Sequence, residues 1–414
     1  MTSPSAVTSC GRTTAVFDPR WLTYDFGPDH PMAPVRVDLT MRLAEALGVF
    51  GEGTDGALEV VAAKPASLES LATVHDPALI EAIGSVRDPA HADLERLQPF
   101  GLGTADNPLF AGMHDAAAQV VGATLEACRQ VWTGESAHSI NIAGGLHHAM
   151  PERASGFCLY NDLAVGIQWL LDNGAQRVAY LDVDVHHGDG VERIFADDPR
   201  VLTVSLHESG TTLFPGTGFA ADVGGPGARG SALNIALPAR TSDAGWLRAF
   251  HAVAVPVLRA WQPEILVTQQ GCDGHMDDPL SHLMLSVDGQ RATYLAIHDL
   301  AHELTGGRWV ATGGGGYALT SVVPRAWAHL LAVVAGRPLA PDLATPERWR
   351  AQVTELTGEQ APFRLTDGRR PAWRPWAEGV NLATPLDAAI AASRAAAFGL
   401  HGLEREGFEE RSAG

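Results

Sequence analysis

The chain has 414 residues, of which 46% are hydrophobic, and its formal net charge is −19. This length suits one large domain or two smaller ones, and the apolar content is high enough for a sizeable core and excludes general disorder. Lys64 is the one lysine in the sequence, and there is no basic patch of the kind that nucleic-acid binders carry.

The N-terminal stretch MTSPSAVTSCGRTT lacks the apolar segment of a signal peptide, and no run reaches about eighteen apolar residues. We therefore predict a cytoplasmic protein that is neither secreted nor embedded in a membrane. The four cysteines are scattered without a CxxC pair. Their spacing argues against a disulfide framework or a structural zinc knuckle.

Short apolar runs alternate along the chain with amphipathic or Ala/Leu-rich stretches. The runs, in chain order, are HSINIAGG, RVAYLDVDV, RVLTVSLH, PEILVTQQGCD and RWVATGGGG. The helical patterns lie at residues 115–132, 161–174, 245–261 and 289–304. This alternation predicts an α/β fold with a parallel sheet covered by helices on both faces. Sites in such sheets form beyond the carboxyl ends of the strands.

The first apolar run is followed by a Gly-Gly turn and the adjacent histidines His147 and His148. Two neighbouring histidines cannot easily both be core residues. A metal-dependent hydrolase needs a base and an acid, and histidine is the commonest choice. Each imidazole would need a carboxylate on its second nitrogen to orient it. Alternatively, both histidines are surface loop residues.

The second run leads into LDVDVHHGDG, which combines three carboxylates with two histidines. Residues two apart share one face of a strand, so Asp182, Asp184 and His186 should point the same way. Asp184 and His186 can reach one metal, which leaves Asp182 and Asp189 as candidates to orient the histidine pair. His187 has no chemical role in this scheme and is expected to hydrogen-bond and pack beneath the site. The alternative is a set of helix caps and solvated loop residues.

The run PEILVTQQGCD ends at Asp273, a candidate third metal ligand, although an aspartate after a strand is also a common helix cap. Two carboxylates and one imidazole neutralise a divalent cation and leave coordination positions open, as in catalytic metal sites. This donor set does not choose strongly between Zn²⁺ and Fe²⁺. His275 and His282, in the following loop, are either pocket residues or loop packing.

The last run ends in four glycines, Gly313 to Gly316, followed by Tyr317. Glycines permit close backbone approach, and a phenolic O–H can donate to an oxyanion. Flexible turns look similar, and a tyrosine here could equally belong to the core. Together, the strand ends predict metal-assisted hydrolysis of a carbonyl group.

Composition shifts near Pro338, where Pro- and Trp-containing sequence begins. We predict a catalytic domain over residues 1–338 and a C-terminal extension over residues 339–414 that packs on it. The extension includes the helix candidate DAAIAASRAAAFGL, and its last residues, 404–414, are expected to fray.

Several motifs, in this order, resemble the histone deacetylase family of zinc-dependent lysine deacetylases. They are DFGPDHPMAPVR, AGGLHHA, SGFCLYND, LDVDVHHGDGVE, TVSLHE, FPGTG, the Asp of GCDG, and GGGGY. The resemblance extends from about Tyr24 to about Leu330. The stretch GCDGHMDDPLSHL and the Trp-bearing tail most resemble the bacterial acetoin-utilization branch. The family resemblance implies an arginase-like three-layer fold, with a central, mostly parallel eight-stranded sheet between helices.

The resemblance also implies residue roles. The zinc ligands would be Asp184, His186 and Asp273, and the catalytic residues would be His147, His148, Asp182, Asp189 and Tyr317. His148 is the general base in the family's usual account, and Tyr317 polarises the acetyl carbonyl. Relatives that replace this tyrosine lose most deacetylase activity, so its presence predicts a competent enzyme.

The implied substrate-binding residues are Asp106, Gly156, Phe157, Phe214, Leu280 and Gly315. Two aromatic rings flanking a slot suit the four methylenes of a lysine side chain, and Asp106 would hold the substrate backbone. Arg36 would line an internal channel for acetate release. A potassium site near the zinc would use Asp182 and backbone carbonyls around Asp184, His186, Ser205 and Leu206.

The resemblance implies an enzyme that deacetylates N-acetyl-lysine in proteins, and the acetoin-utilization branch implies acetylated metabolic enzymes such as an acetyl-CoA synthetase as substrates. The partners would be acetylated proteins or peptides, without nucleic acid or membrane, and the oligomeric state stays open.

The main alternative is a deacetylase of small acetylated amines such as acetylpolyamines. It is disfavoured because polyamine-selective relatives carry a glutamate where this chain has Leu280. A ureohydrolase would need a DAHxD-type two-metal cluster that the sequence lacks. The complete set of catalytic groups disfavours a non-enzymatic acetyl-ligand sensor.

Overall fold

The computed structural model describes residues 10–52 and 56–404. Its strands are β1 (Thr13–Val16), β2 (Leu58–Val61), β3 (His138–Asn141), β4 (Val178–Asp182), β5 (Val201–Glu208), β6 (Ala232–Leu237), β7 (Ile265–Gln269) and β8 (Trp309–Thr312). Its α-helices are α1 (Val35–Ala46), α2 (Leu68–Leu71), α3 (Pro77–Ser85), α4 (Leu94–Leu97), α5 (Met113–Trp132), α6 (Asp162–Asp172), α7 (Asp189–Phe195), α8 (Asp243–Ala249), α9 (Val255–Trp261), α10 (Val287–Thr305), α11 (Val323–Val334), α12 (Glu347–Thr357) and α13 (Pro385–Ala397). A π-helical segment, Phe250–Ala254, connects α8 to α9.

The strands form one sheet in the order β2-β1-β3-β8-β7-β4-β5-β6. Every pairing in it is parallel. The predicted α/β fold is therefore confirmed, and the sheet expected to be mostly parallel is entirely parallel over the described residues. The five apolar runs form β3, β4, β5, β7 and β8. The four helical patterns form α5, α6, the α8–α9 pair and α10.

Helices cover both faces of the sheet, which explains why its central strands are apolar throughout rather than alternating. Along β4, Val178 and Tyr180 belong to the apolar cluster shared with α5 and α6. Ala179 and Leu181, which point to the other face, belong to the cluster shared with α8 to α11. Within residues 10–52 and 56–404, no helix is both long enough and apolar enough to cross a membrane.

The C-terminal residues pack against the rest of the chain through buried polar contacts. Arg248 on α8 forms an ion pair with Asp387 on α13, with Nε 2.8 Å from Oδ1. The same guanidinium donates to the backbone carbonyls of Arg374, Pro375 and Gly379. One side chain thus holds several parts of the extension. The predicted fraying of residues 404–414 lies outside the described residues, apart from Glu404.

Replacing Arg248 with methionine should lower the free energy of unfolding by about 3–5 kcal/mol, because it leaves Asp387 as an unpaired buried charge. Thermal or denaturant unfolding would measure the loss, and limited proteolysis would report whether residues 339–404 are released. Arg259→Met is the matched control, because its ion pair with Glu303 is about half exposed and should contribute less than about 1 kcal/mol. Equal stability of the two variants would contradict this role for Arg248.

Candidate active site

The predicted metal ligands, the histidine pair and the tyrosine lie at or beyond the carboxyl ends of four neighbouring strands, β3, β8, β7 and β4. The histidine pair follows β3, the LDVDVHHGDG stretch ends β4 and continues beyond it, Asp273 follows β7, and Tyr317 follows β8. Parallel strands end at one edge of the sheet, so segments far apart in sequence meet there. The sheet order thereby gathers these groups into one buried centre.

Asp184, His186 and Asp273 form a buried trio in which one donor atom from each residue lies within 4.8 Å of the others. His186 Nδ1 is 3.0 Å from Asp184 Oδ1 and 3.1 Å from Asp273 Oδ2. These separations approach the edges of a tetrahedron whose metal–ligand bonds are about 2.0–2.2 Å long. Burial and the Asp184 charge raise the pKa of Asp273. A divalent cation would relieve this repulsion, so the donor set fits Zn²⁺.

Other groups fix the orientation of the two carboxylates in this trio. Gln269 Nε2 and the backbone N–H of Gly315 donate to Asp184 Oδ2 at 2.7 and 2.8 Å. The backbone N–H of Val185 donates to Asp273 Oδ1 at 3.0 Å. A Cβ at position 315 would lie 1.9 Å from Asp273 Oδ2. Glycine is thus required where the four-glycine loop passes the trio.

The histidine pair is oriented by two carboxylates. His147 Nδ1 donates to Asp182 Oδ2 and His148 Nδ1 donates to Asp189 Oδ1, both at 2.7 Å. The two Nε2 atoms lie 3.0 Å apart. Because the Nδ1 atoms are held by carboxylates, the two Nε2 atoms, which hydrogen-bond to each other, are the nitrogens that can exchange a proton. The structure thus brings together the pairs that the sequence predicted.

The two imidazoles have opposite pKa shifts. Burial lowers the pKa of His147, but the charges of Asp182 and Asp184 outweigh it and raise the pKa to about 9. Burial and the neighbouring His147 lower the pKa of His148 to about 4, against the pull of Asp189. The pair therefore combines a charged imidazole with a neutral one that can accept a proton.

Sequence reasoning missed several residues that hold the loops of the site. Tyr180 donates its phenolic O–H to Asp182 Oδ2 at 2.5 Å. Asp162 accepts the backbone N–H groups of Gly145 and Leu146, just before the histidine pair. Asn161 Nδ2 donates to the carbonyls on both sides of His148. Asn161 and Asp162 could have been identified from the sequence by their position in the SGFCLYND motif, where they also begin α6.

Tyr317 is positioned by its backbone and by Arg36. Its N–H donates to Asp278 Oδ2 at 2.7 Å, a contact that sequence reasoning also missed. Arg36 Nη1 donates to the carbonyls of Gly314 and Gly316 at 2.8 and 3.2 Å. Burial and the nearby carboxylates raise the pKa of Tyr317 well above its usual value. The phenol therefore keeps its proton and can donate a hydrogen bond.

Two aromatic rings border the polar centre. The Phe157 ring packs edge-on against Tyr317, with centroids 5.7 Å apart, and the half-exposed Phe214 ring packs edge-on against His148 at 5.0 Å. A Cβ at Gly156 would lie 2.4 Å from the His148 ring, at a φ of +54°. Asp106 Oδ2 accepts the Gly156 N–H at 2.7 Å. The predicted wall residues and the predicted rim aspartate thus adjoin the histidine pair.

The remaining predicted residues lie around this centre. Half-buried Leu280 donates its N–H to Asp278 Oδ1 at 3.0 Å. Arg36 is buried and helps to line a small pocket. Ser205 is paired in register with Asp182 across β4 and β5, and Leu206 follows it on β5. Of the residues predicted for a potassium site, Asp182, Ser205 and Leu206 thus lie at the end of the β4–β5 ladder, and Asp184 and His186 follow just beyond β4.

Three further histidines hydrogen-bond within the segments around the site. His275 Nε2 lies 3.0 Å from Asp367, and its Nδ1 accepts the Asp277 N–H, so both ring nitrogens serve the loop structure. The exposed His282 contacts Glu208 at 2.9 Å. His187 hydrogen-bonds as predicted, in this case to side chains of the FPGTG loop and α7.

The chain is similar to known proteins over most of its length. A sequence model described as the histone deacetylase domain matches residues 30–334. The acetoin utilization protein AcuC of Bacillus subtilis (strain 168) is 41% identical over 334 residues, covering 81% of this chain and 84% of that protein. AcuC of Staphylococcus aureus (strain MSSA476) is 32% identical over 359 residues, covering 86% and 91%.

Solved structures show the same likeness. An HDAC homolog from Aquifex aeolicus superposes with a TM-score of 0.79 at 26% identity, covering 92% of this chain and 100% of that chain. The structure of an HDAC homolog complexed with SAHA matches with the same TM-score, identity and coverage.

Proposed function

The chain belongs to the histone deacetylase family, in its acetoin-utilization branch, and is a hydrolytic deacetylase; from this premise we propose that it removes acetyl groups from N-acetyl-lysine side chains of proteins. The observation that carries the proposal is the convergence of two oriented histidines, a carboxylate–imidazole trio and a neutral phenol at one sheet edge. These groups are those that amide hydrolysis requires.

We propose that Asp184, His186 and Asp273 hold the metal. When bound, it would lower the pKa of a water molecule and polarise the acetyl carbonyl. Zn²⁺ is the ion we expect, since the family is zinc-dependent, and Fe²⁺ suits the same donors. A potassium ion is proposed at the β4–β5 ladder, held by Asp182 and backbone carbonyls of Asp184, His186, Ser205 and Leu206.

His148 is the residue that we propose as the general base. Its Nδ1 is held by Asp189, so its Nε2 takes the proton from the attacking water, and the Asp189 carboxylate stabilises the imidazolium that results. When the amide C–N bond breaks, a proton passes from the histidine pair to the lysine nitrogen. The products are acetate and the free amine. His147, held by Asp182, lies beside the reacting atoms as the second member of the pair.

Tyr317 would stabilise the oxyanion that develops on the acetyl oxygen. A donor that is already in place stabilises charge in the transition state without the cost of reorganising at that moment. The Asp278 and Arg36 contacts to the tyrosine loop support this role, because they hold the loop backbone in place. Arg36 would also line the route by which acetate leaves.

The lysine side chain is proposed to enter between Phe157 and Phe214, which suit an apolar stem of four methylenes. Gly156 and Gly315 are proposed as backbone walls beside it, because the chain passes too close to His148 and to Asp273 at these positions for a side chain. Asp106 would hold the backbone amides of the substrate at the rim. Leu280 offers no charge to a second ammonium group, which favours acetyl-lysine over acetylpolyamines.

The direct test is acetate release from an acetyl-lysine peptide by the purified protein in zinc-replete buffer, with acetylspermidine as the competing substrate. We expect turnover of the peptide to exceed that of the polyamine. Absence of acetate release from either substrate would contradict the proposal. Faster turnover of the polyamine would support the alternative, a deacetylase of small acetylated amines.

We propose an acetylated metabolic enzyme of the cytoplasm, such as an acetyl-CoA synthetase, as the physiological substrate, on the basis of the acetoin-utilization branch. Comparing protein acetylation in cells with and without this protein tests the proposal. The substrate should gain acetyl-lysine when the protein is absent, and an unchanged acetylation state of acetyl-CoA synthetase would exclude it as the substrate.

Asp278→Ala should lower kcat by about 10–100-fold, because the Tyr317 backbone loses the acceptor that positions it. KM should change less than kcat, since Asp278 holds the Tyr317 backbone and only one of its contacts reaches Leu280 at the proposed substrate entrance. Steady-state kinetics on the peptide would measure both constants. The control is Asp277→Ala, the neighbouring position, whose side chain is 65% exposed. Equal kcat values for the two variants would show that Asp278 does not position the tyrosine.

A further inference from the structure

A second cluster of potential metal ligands lies at the opposite edge of the sheet from the candidate active site. Cys10 precedes β1, His138 is the first residue of β3, and His298 and His302 lie one turn apart in the C-terminal half of α10. Because β3 alone spans about 13 Å, the cluster is separated from the active-site residues by the length of the sheet.

The four side chains converge on one point. Cys10 Sγ lies 3.3 Å from His298 Nε2 and 3.4 Å from His302 Nε2. The Nε2 atoms of His138 and His302 lie 3.2 Å apart, and one donor atom from each of the four residues lies within 4.8 Å of the others. A tetrahedral zinc site with bonds of about 2.05 Å to nitrogen and about 2.3 Å to sulfur has edges of about 3.3 and 3.6 Å. The cluster has nearly these dimensions.

The orientation of the three imidazole rings suits metal binding. All three present Nε2 to the centre of the cluster. His138 Nδ1 donates to the Gly307 carbonyl at 2.7 Å, which leaves the Nε2 lone pair facing inward, as in the usual support of a metal-binding histidine.

We propose that Cys10, His138, His298 and His302 bind a Zn²⁺ ion as a structural site. Four protein ligands close the coordination sphere, as in structural rather than catalytic zinc sites. A thiolate with three imidazoles selects Zn²⁺ over hard cations such as Mg²⁺ and Ca²⁺. On binding, the Cys10 thiol releases its proton to solvent and the thiolate bonds to the metal.

The site would tie the segment before β1 to the start of β3 and to α10. A surface groove that Cys10, Gly307 and Arg308 help to line provides a path for the ion. The sequence hides the site because its ligands come from three distant segments without a CxxC pair. The one local signal is the pair His298 and His302, four apart on one helix face.

Cobalt substitution provides the test. The full-length protein is depleted of metal, reloaded with Co²⁺, and examined by absorption spectroscopy. A thiolate-to-cobalt charge-transfer band in the near ultraviolet requires a sulfur ligand, and the trio of Asp184, His186 and Asp273 has none. We expect the band in the wild type, its loss in Cys10→Ser, and its retention in Cys128→Ala, a buried cysteine of α5 outside the cluster. Elemental analysis should find one zinc ion fewer per chain in Cys10→Ser than in the wild type.

The band is also expected in the Asp184→Asn background, so this inference does not depend on the proposed deacetylase reaction. A cobalt-loaded wild type without the band would overturn the proposal, as would a band that persists in Cys10→Ser. If Cys10→Ser does not fold, the wild-type spectrum and His302→Gln decide the question. With His302→Gln the zinc content should fall by one ion per chain, and an unchanged content would count against the site.

Discussion

Asp184→Asn is expected to abolish metal binding at the active site and to lower deacetylase turnover by more than about 10³-fold. The substitution keeps the shape of the side chain, so Gln269 and Gly315 still have an oxygen to contact. It removes one of the two negative charges that balance a divalent cation. Elemental analysis together with acetate release from an acetyl-lysine peptide would measure the two effects.

The matched control is Asp243→Asn, because Asp243 is also buried but accepts its hydrogen bonds from Ser286 at the start of α10. This variant should keep both metal and activity. In the wild type, a chelator should remove activity and added Zn²⁺ should restore it. Full turnover by metal-depleted protein would refute a metal-dependent reaction.

Tyr317→Phe is expected to lower kcat by about 10²–10³-fold while KM and thermal stability stay near the wild-type values. The ring would still pack against Phe157, and the backbone contact to Asp278 does not involve the hydroxyl. What is lost is the donor for the oxyanion. Steady-state kinetics and a melting curve would separate a catalytic effect from a loss of folding.

Tyr294→Phe is the control for this prediction. Tyr294 is a buried tyrosine of α10 whose hydroxyl has no hydrogen-bond partner among the described residues. Removing that hydroxyl should leave turnover unchanged. If Tyr317→Phe turns over as fast as Tyr294→Phe, the oxyanion is stabilised by another group.

The fold could be predicted where apolar runs were long. The runs that became β4, β5 and β7 have five to eight residues and are buried throughout. The four-residue strands β1 and β2 were missed although the equally short β3 and β8 were predicted, because no glycine-rich turn marks the end of β1 or β2 and the edge strand β2 is only partly buried. The strand β6 was also missed, although its six residues are mostly buried.

The site could be predicted where chemistry is dense in sequence. LDVDVHHGDG and the adjacent histidines are conspicuous because buried charges need partners. Asp278 and Asp162 were missed because the importance of each comes from a backbone N–H elsewhere in the chain. No local pattern records such a contact.

By itself, the sequence determined the α/β class, the strand ends that carry chemistry and the residue types of the active centre, because these follow from local periodicity and from side-chain chemistry. Only the tertiary structure decided which strands are neighbours. The sheet order sets β3, β8, β7 and β4 side by side, and this brings His147 to Asp182 and Asp273 to His186. The same packing brings Cys10 to His138, His298 and His302 at the other edge. Both clusters depend on contacts between segments that are distant in sequence. These contacts form because the whole sheet buries its apolar residues in one strand order, and no short stretch of sequence encodes that order.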